Sequence, residues 1–144
     1  MLYRLACPTD AEALVHLNFA FNEVDDVSPE DVRHSLLTSS EVVAVAEQEG
    51  SVIAFCCAQV HYSFCYKRPV AEVTEMYVDA AHRREGCATG MLSFLEQHLQ
   101  SACGVDEIHL LTGTENHAAQ AAYAKAGFNR ENEAYMVKEV PRNR

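Results

Sequence analysis

The sequence predicts a single α/β domain, residues 1–144, built on a mixed, mostly antiparallel and twisted sheet that is flanked by helices. Two apolar stretches of strand length, 42–48 and 52–61, meet at a turn around Gly50, which predicts an antiparallel hairpin. Residues 72–111 then carry a strand, a long helix and another strand, an order that places strands side by side in one sheet. The length of 144 residues suits one domain, and 49% apolar residues suffice for a core.

The N-terminal third is predicted to hold one strand followed by two helices. Residues 3–6 form the strand candidate, and apolar residues three and four apart between positions 14 and 21 predict a helix with one buried face. The second helix begins at Ser28-Pro29, because Ser caps helix N-termini and Pro suits the first helical position. We expect this helix to end near Ser39.

The C-terminal two thirds complete the order βααβββαβαβ. After the hairpin, the predicted elements are a strand at 72–79, a helix at 84–103 that Gly104 ends, a strand at 107–111, a helix at 116–126 and a final strand at 135–140. Helices are therefore expected on both faces of the sheet.

The charge of the chain excludes some functions. Eleven Lys and Arg against 21 Asp and Glu give a net charge of −10, which argues against nucleic-acid binding and favours cationic partners. No apolar run approaches the roughly 18 residues of a membrane span, and the first residues lack the apolar stretch of a signal peptide. We expect a cytoplasmic protein without membrane contact. Its six cysteines lack metal-ligand spacing, so we expect reduced thiols and no metal.

The segment that follows the strand at 72–79 is the first to suggest chemistry. Within residues 78–90 a strand ends and a basic, Gly-containing turn leads into the long helix, and free backbone N–H groups at such a helix start can bind an anion such as a pyrophosphate. Gly86 would let the backbone approach the ligand closely. An ordinary helix cap with Gly for turn geometry explains this segment equally well on its own.

A second segment, 116–128, favours the ligand-binding interpretation. Arg83, Gly86 and Ala88 match the pattern Arg/Gln-x-x-Gly-x-Gly/Ala, and Asn116, Ala119, Tyr123, Gly127 and Phe128 match a later Asn, small residue, Tyr and Gly-Phe series. Together the two segments resemble the GNAT superfamily of acetyl-CoA-dependent N-acetyltransferases. The resemblance covers nearly the whole chain and implies that family's sheet, with a splayed cleft for acetyl-CoA.

The resemblance also implies roles for individual residues. The backbone of the strand at 76–78 would hold the pantetheine arm and face the thioester oxygen, the turn would bind the pyrophosphate, and Tyr123 would protonate the departing thiolate. The implied acetyl-CoA contacts are Met76, Tyr77, Val78, Arg83, Arg84, Glu85, Gly86, Cys87, Ala88, Thr89, Asn116 and Tyr123.

The reaction also needs a base, because a primary amine is almost wholly protonated at neutral pH. Glu75 is the first candidate and Glu72 the second. Strict alternation would put these two side chains on opposite faces of the strand, whereas a β-bulge between them would bring both near the cleft.

The acceptor is expected to be a small cationic amine. Acidic residues between the first two helices, Glu23, Asp25 and Asp26, would form a cation-binding rim, and the strand from Glu75 to Val78 loosely resembles aminoglycoside-resistance members. Polyamines, protein or peptide amines, and a catalytically silent acetyl-CoA-binding module are the alternatives. The alternating aromatic residues at 62–66 could line the acceptor pocket or pack a hairpin. Homodimers are common among proteins of this kind, which is an analogy only.

Overall fold

The computed structural model describes residues 1–143 as one sheet with helices on both faces. The strands are β1 (Leu2–Leu5), β2 (Val42–Gln48), β3 (Ser51–His61), β4 (Val70–Val78) and β5 (Ile108–Leu110). The helices are α1 (Ala11–Asn22), α2 (Pro29–Thr38), α3 (Cys87–Cys103) and α4 (His117–Lys125), and single 3-10 turns lie at Pro8–Asp10 and Ala80–His82. The predicted class, a mixed and mostly antiparallel sheet flanked by helices, is confirmed.

The sheet runs in chain order, β1-β2-β3-β4-β5. The first four strands pair antiparallel, and β5 pairs parallel to β4 after the crossover through α3. The predicted hairpin is present, and the turn at Glu49 and Gly50 has positive φ at both residues, as a tight two-residue connection requires.

Each face of the sheet has its own apolar core. On one face, Leu14 and Leu17 of α1 pack against Val45, Phe55 and Cys57. On the other face, α3 buries a row of side chains against the small residues of β2 and β3, among them Met91, Leu92, Leu95 and Leu99. Burying one such side chain stabilises the fold by about 1.5–3 kcal/mol. The two apolar layers therefore stabilise the sheet from both faces.

The last two strands stay together over a short distance only. The pairing of β4 with β5 runs from Ala71 opposite Ile108 to Val73 opposite Leu110. Beyond Val73, residues 74–78 of β4 have no strand partner on that side, so the main-chain groups that point away from β3 are available to a ligand, except the Val78 carbonyl, which accepts from Arg83 Nε. This divergence is the splayed cleft that the resemblance implies.

The long helix begins later than predicted. The sequence pattern placed its start at residue 84, whereas α3 starts at Cys87. Arg84 and Gly86 have φ values of 66° and 80°, in the left-handed region, so neither can belong to a right-handed helix.

The predicted final strand at 135–140 is wrong. Residues 129–143 form no helix or strand in the structure, and the large apolar side chains of this segment are exposed. β-propensity describes how well a side chain fits a paired, half-buried surface, and here no neighbouring strand lies beside the segment.

A partly buried ion pair ties β1 to the 3-10 turn that leads into α1. Arg4 donates two hydrogen bonds to Asp10, at 2.8 and 2.9 Å, and also contacts Glu47 across the sheet at 2.9 Å. Asp10 is buried and accepts from the backbone N–H of Cys7, so it closes the turn that leads into α1. Hydrogen bonds from Arg4, opposed by burial, hold the pKa of Asp10 below its usual value.

Asp10→Asn should therefore lower the free energy of unfolding by roughly 2 kcal/mol at neutral pH, because the variant loses a charge-assisted pair. A lowered carboxyl pKa stabilises the fold above the unfolded-state value of about 3.9, and this contribution is lost as the pH falls through the folded-state value. Urea unfolding at neutral pH and near pH 3 would measure both effects. A gap between wild type and variant that persists unchanged in acid would contradict the assignment.

Candidate active site

A cleft of about 270 Å³ opens where β4 and β5 diverge. Because it lies between two separating strands, it reaches both faces of the sheet: Phe21 of α1 borders it on one side and α4 on the other. Its lining comprises Phe21, Val73, Thr74, Glu75, Met76, Leu110, Leu111, Thr112, Gly113, Asn116, Ala119 and Tyr123. The structure thus brings together Glu75, Met76, Asn116 and Tyr123, four of the residues that the sequence singled out.

A β-bulge decides where the two candidate bases point. Cys57 lies opposite Glu75 and Ala58 opposite Val73, which leaves Thr74 as the extra residue in β4. Val73 and Met76 both pack into the core on the α3 face, so the bulge has shifted the alternation. Glu72 and Glu75 consequently share the face of α1 and α2.

The surroundings distinguish these two glutamates. Glu75 lines the cleft beside the free edge of β4. Glu72 precedes the bulge and contacts His61, with 3.3 Å between Glu72 Oε2 and His61 Nε2. Of the two carboxylates, only Glu75 belongs to the lining of the cleft.

A third carboxylate on the same face was missed by the sequence reasoning. Glu41 immediately precedes β2, whose Val43 lies opposite Cys57, and Cys57 lies opposite Glu75. Burial, and secondly the charge of Glu75, raise the pKa of Glu41. No local motif marks Glu41, since its proximity to Glu75 arises from the register of three strands.

Tyr123 projects from α4 into the cleft. It is half-buried, and its ring packs edge-on against Phe128 with 6.0 Å between centroids. Burial, and secondly the neighbouring Cys56, raise the pKa of the Tyr123 hydroxyl above its usual value. This group therefore keeps its proton at neutral pH and can donate it to a departing thiolate.

Asn116 caps the start of α4 and also lines the cleft. Its carboxamide oxygen accepts a hydrogen bond from the Ala119 backbone N–H at 3.2 Å and so caps α4. What remains for a ligand is its NH₂ group, which can donate to a carbonyl of the pantetheine arm.

The turn before α3 presents several free backbone amides. The first hydrogen bond of the helix runs from the Gly90 N–H to the Gly86 carbonyl at 3.0 Å. The N–H groups of Cys87, Ala88 and Thr89 therefore have no acceptor inside the helix. Residues 83–86 are exposed, so the turn is open to solvent and to an anion.

The two arginines of this turn behave differently. Arg83 folds back onto β4: its Nε donates to the Val78 carbonyl at 3.1 Å, and its guanidinium lies 5.5 Å from the Tyr77 ring centroid. Arg84 holds a left-handed backbone conformation and makes no ion pair among residues 1–143. The Arg84 guanidinium therefore has no carboxylate partner among these residues, whereas Arg83 contacts the end of β4.

Cys87 and Glu85 are also among the acetyl-CoA contacts predicted from the resemblance. Cys87 is buried beneath the helix start, and burial raises the pKa of its thiol, which argues against a nucleophilic role. The Glu85 side chain is exposed and lies 3.8 Å from His82.

The acidic residues predicted for the acceptor side are not part of the cleft lining. Glu23, Asp25 and Asp26 are exposed and directly follow α1, whose Phe21 borders the cleft and stacks near Tyr77 at 5.2 Å. The aromatic residues at 62–66 are exposed and pack against neither the hairpin nor the cleft lining.

Residues 1–143 contain neither a group of metal ligands nor a membrane-spanning helix. Within residues 1–143, no three His, Cys, Asp or Glu side chains are grouped closely enough to hold a metal ion. None of the helices in this part of the chain is long and apolar enough to cross a membrane.

Comparison with a protein-family model identifies the family of this chain. Residues 11–128 match the family model described as Acetyltransferase (GNAT) family. The chain belongs to the GNAT acetyltransferase family. It is therefore an acetyltransferase, and acetyl-CoA is the donor that enzymes of this family use. No curated protein sequence matches the chain significantly.

Solved structures of GNAT acetyltransferases share the fold at low sequence identity. An aminoglycoside acetyltransferase, meta-AAC0020, from an uncultured soil metagenomic sample superimposes with a TM-score of 0.83 at 16% identity, covering 98% of this chain and 96% of its own. A ribosomal-protein-alanine N-acetyltransferase from Brucella melitensis biovar Abortus 2308 gives 0.81 at 14% identity, with 96% and 100% covered. The aminoglycoside antibiotic 6'-N-acetyltransferase AAC(6')-Ih from Acinetobacter baumannii gives a TM-score of 0.78 at 19% identity, with 97% of this chain and 99% of its own covered. Two of these enzymes are named for aminoglycosides and one for a ribosomal protein, so the shared fold does not identify the acceptor of this chain.

In this GNAT chain, Gly86→Ala should weaken acetyl-CoA binding much more than it weakens the fold. A Cβ at Gly86 would meet nothing within 4 Å, but the φ of +80° costs an alanine about 1 kcal/mol, and the added methyl would face the anion site. Isothermal titration with CoA and urea unfolding would separate the two effects.

Gly104 offers a matched control for this substitution. It ends the same helix with a φ of +72° and also has open space around its Cβ position. Gly104→Ala should lose a similar amount of stability and keep its CoA affinity. Equal losses of CoA affinity in both variants would refute a ligand-binding role for the turn.

Proposed function

We propose that this chain transfers the acetyl group of acetyl-CoA directly to a primary amine of a small cationic acceptor, with aminoglycosides as the favoured class. The observation that carries the proposal is the cleft between β4 and β5, which brings Glu75, Asn116 and Tyr123 together beside the free edge of β4. Family membership supports the reaction type, and the charge of the chain supports the acceptor class.

Main-chain groups that lack a strand or helix partner are suited to bind the donor, acetyl-CoA. The unpartnered backbone at 74–78 suits an amide-containing arm that adds to the strand edge, and one of its N–H groups would face the thioester oxygen. The open amides of Cys87, Ala88 and Thr89, with the dipole of α3 behind them, suit the pyrophosphate.

The proposed chemistry is a single displacement. Acetyl-CoA supplies an activated acetyl thioester when it is bound. Glu75, directly or through a water, accepts the proton that the ammonium group of the acceptor must lose before its nitrogen can attack the acetyl carbon. As the new C–N bond forms and the C–S bond breaks, the Tyr123 hydroxyl donates its proton to the sulfur. The acetylated nitrogen then loses its second proton, which leaves a neutral amide and restores the Tyr123 hydroxyl directly or through water. No acyl-enzyme is needed, which agrees with the buried position of Cys87.

The distribution of charge supports a cationic acceptor. Three carboxylates, Glu41, Glu72 and Glu75, share one face of the sheet, and the exposed acidic residues at 23–26 follow the helix that borders the cleft. A negative field of this kind raises the local concentration of a polyamine or aminoglycoside and steers its approach. Phe21 and Tyr77 add aromatic surface against which an aminosugar ring can pack.

A thiol-release assay with the purified full chain would test the proposal. The panel should contain acetyl-CoA with several aminoglycosides, with spermidine as a polyamine, and with peptides that carry a free N-terminal amine. We expect the highest kcat/KM with an aminoglycoside. This value should fall as the salt concentration rises, because screening weakens long-range attraction between exposed charges.

Three other results of this assay would change or overturn the proposal. Faster turnover of a peptide than of any polycation would overturn the acceptor class and favour a protein acetyltransferase. CoA binding without thiol release from any acceptor would favour a silent binding module. Absence of CoA binding would remove the basis of the whole proposal.

A further inference from the structure

Gly90, the fourth residue of α3, lies directly against the ring of Tyr3 from β1. Glycine inside a helix destabilises it relative to alanine, so its presence there calls for a reason. A Cβ added at Gly90 would overlap the Oη and Cζ atoms of Tyr3 and lie 2.6 Å from its Cε2. By contrast, Gly86 and Gly104 at the two ends of the same helix have open space around their Cβ positions. The close contact with Tyr3 is therefore the reason for a glycine at position 90.

Tyr3 belongs to a row of residues that crosses four strands beneath the start of α3. Tyr3 lies opposite Ala46 of β2, and Ala46 lies opposite Ala54 of β3. Ala54 in turn lies opposite Val78, the last residue of β4. All four side chains belong to the core on the α3 face. The two small alanines therefore form a shallow trough between the larger side chains of Tyr3 and Val78.

The first turn of α3 packs over this row. Cys87 and Met91 are buried in the same core as the row itself. Burial, and secondly the charge of Cys87, raise the pKa of the Tyr3 hydroxyl above its usual value. The Tyr3 ring thus lies beside the helix start near both Cys87 and Gly90, and a shift of the helix toward β1 would press its backbone against the ring.

We propose that Tyr3 is a positioning residue for acetyl-CoA: through its contact with Gly90, the ring sets where the amides of residues 87–89 lie. The inference rests on the proposed function, in which these amides bind the pyrophosphate. The Gly90 N–H donates to the Gly86 carbonyl at 3.0 Å, so a displacement of Gly90 also moves the turn before the helix. Because hydrogen bonds weaken as their distances and angles depart from the optimum, a small displacement of these amides lowers the affinity for the anion.

A cycle of single and double substitutions in the full chain, followed by isothermal titration with CoA, would test the inference. Gly90→Ala should raise the CoA dissociation constant roughly tenfold, as the loss of one hydrogen bond to a charged group would. Tyr3→Leu should raise it by a smaller factor, because the helix start then has no ring beside it. Leucine lacks the Cε2, Cζ and Oη atoms that the alanine methyl would overlap. The double variant should therefore return to within about threefold of wild type.

Two further variants separate positioning from packing. Tyr3→Phe keeps the ring and loses the hydrogen bond that Tyr3 Oη donates to Met1 Sδ at 3.2 Å, so it should bind CoA like wild type. Leu99→Val shortens a fully buried side chain toward the other end of α3, so it should lower stability in urea without changing CoA affinity. In steady-state kinetics, Gly90→Ala should raise KM for acetyl-CoA and leave kcat nearly unchanged, because the proposed base and proton donor lie on other elements.

Additive losses of CoA affinity in the double variant would overturn the inference. A loss of stability without a loss of CoA affinity in both single variants would make Tyr3 an ordinary core residue, and an equal loss of affinity in Leu99→Val would overturn the inference as well. Gly86→Ala distinguishes these results from a failure of the proposed function. If Gly86→Ala weakens CoA binding and the Tyr3 and Gly90 variants do not, only the positioning role fails. If none of the three variants weakens it, the proposed anion site itself fails.

Discussion

Glu75→Gln should lower kcat at neutral pH by about 100-fold or more while leaving CoA affinity nearly unchanged. Glutamine keeps the size and hydrogen-bonding reach of glutamate but cannot accept the ammonium proton. Since Glu75 borders the cleft and is exposed, the substitution removes no buried contact. Steady-state kinetics with the best acceptor and CoA titration would measure the two quantities.

The pH profile of this variant gives a sharper readout. Without a base, only the small unprotonated fraction of an amine with a pKa near 10 can react, so the rate should rise about tenfold per pH unit below that value. The difference from wild type should shrink at alkaline pH. A merely structural role for Glu75 would lower the rate equally at every pH.

Glu72→Gln is the matched control, because Glu72 lies in the same strand and on the same face but contacts His61 instead of the cleft. We expect it to change kcat only a few-fold. A large loss in this variant with a small loss in Glu75→Gln would transfer the role of base to Glu72.

Tyr123→Phe should lower kcat by about 100-fold and leave the fold intact. Phenylalanine retains the ring that packs against Phe128, so only the hydroxyl is lost. Because burial raises the pKa of this hydroxyl, wild type should keep its proton donor through the neutral and mildly alkaline range. Kinetics, CoA titration and urea unfolding on the same preparations would separate chemistry from binding and stability.

An aryl thioester would test the proton-donor role of Tyr123 directly. Its thiolate leaves without protonation, so the variant should regain most of the wild-type rate with such a donor. A loss that is equal for acetyl-CoA and for the aryl thioester would exclude the role.

Local sequence signals predicted most elements because each depends on neighbours in the chain. The hairpin around Gly50 requires a turn with positive φ, and the start of α2 requires a Ser cap and Pro in the first turn, all of which lie within a few residues. In the same way, the Gly-containing turn before α3 can be located from the sequence, because the start of a helix is a local structure.

The prediction failed where a residue or segment depends on a distant partner. The strand expected at 135–140 has the right composition and no adjacent strand. Spacing along the chain also did not indicate the contacts of Arg83 with the Val78 carbonyl and the Tyr77 ring. Both results depend on what lies next to the residue or segment in space, which spacing along the chain does not encode.

The net charge, the reaction class and the identity of the candidate turn were determined by the sequence alone. The tertiary structure decided which carboxylates face the cleft. The bulge at Thr74 turns Glu72 and Glu75 to one face, and the register of β2, β3 and β4 brings Glu41 into their vicinity. The physical reason is that a one-residue shift in a strand reverses the face of every later side chain, and only the pairing of strands sets that shift.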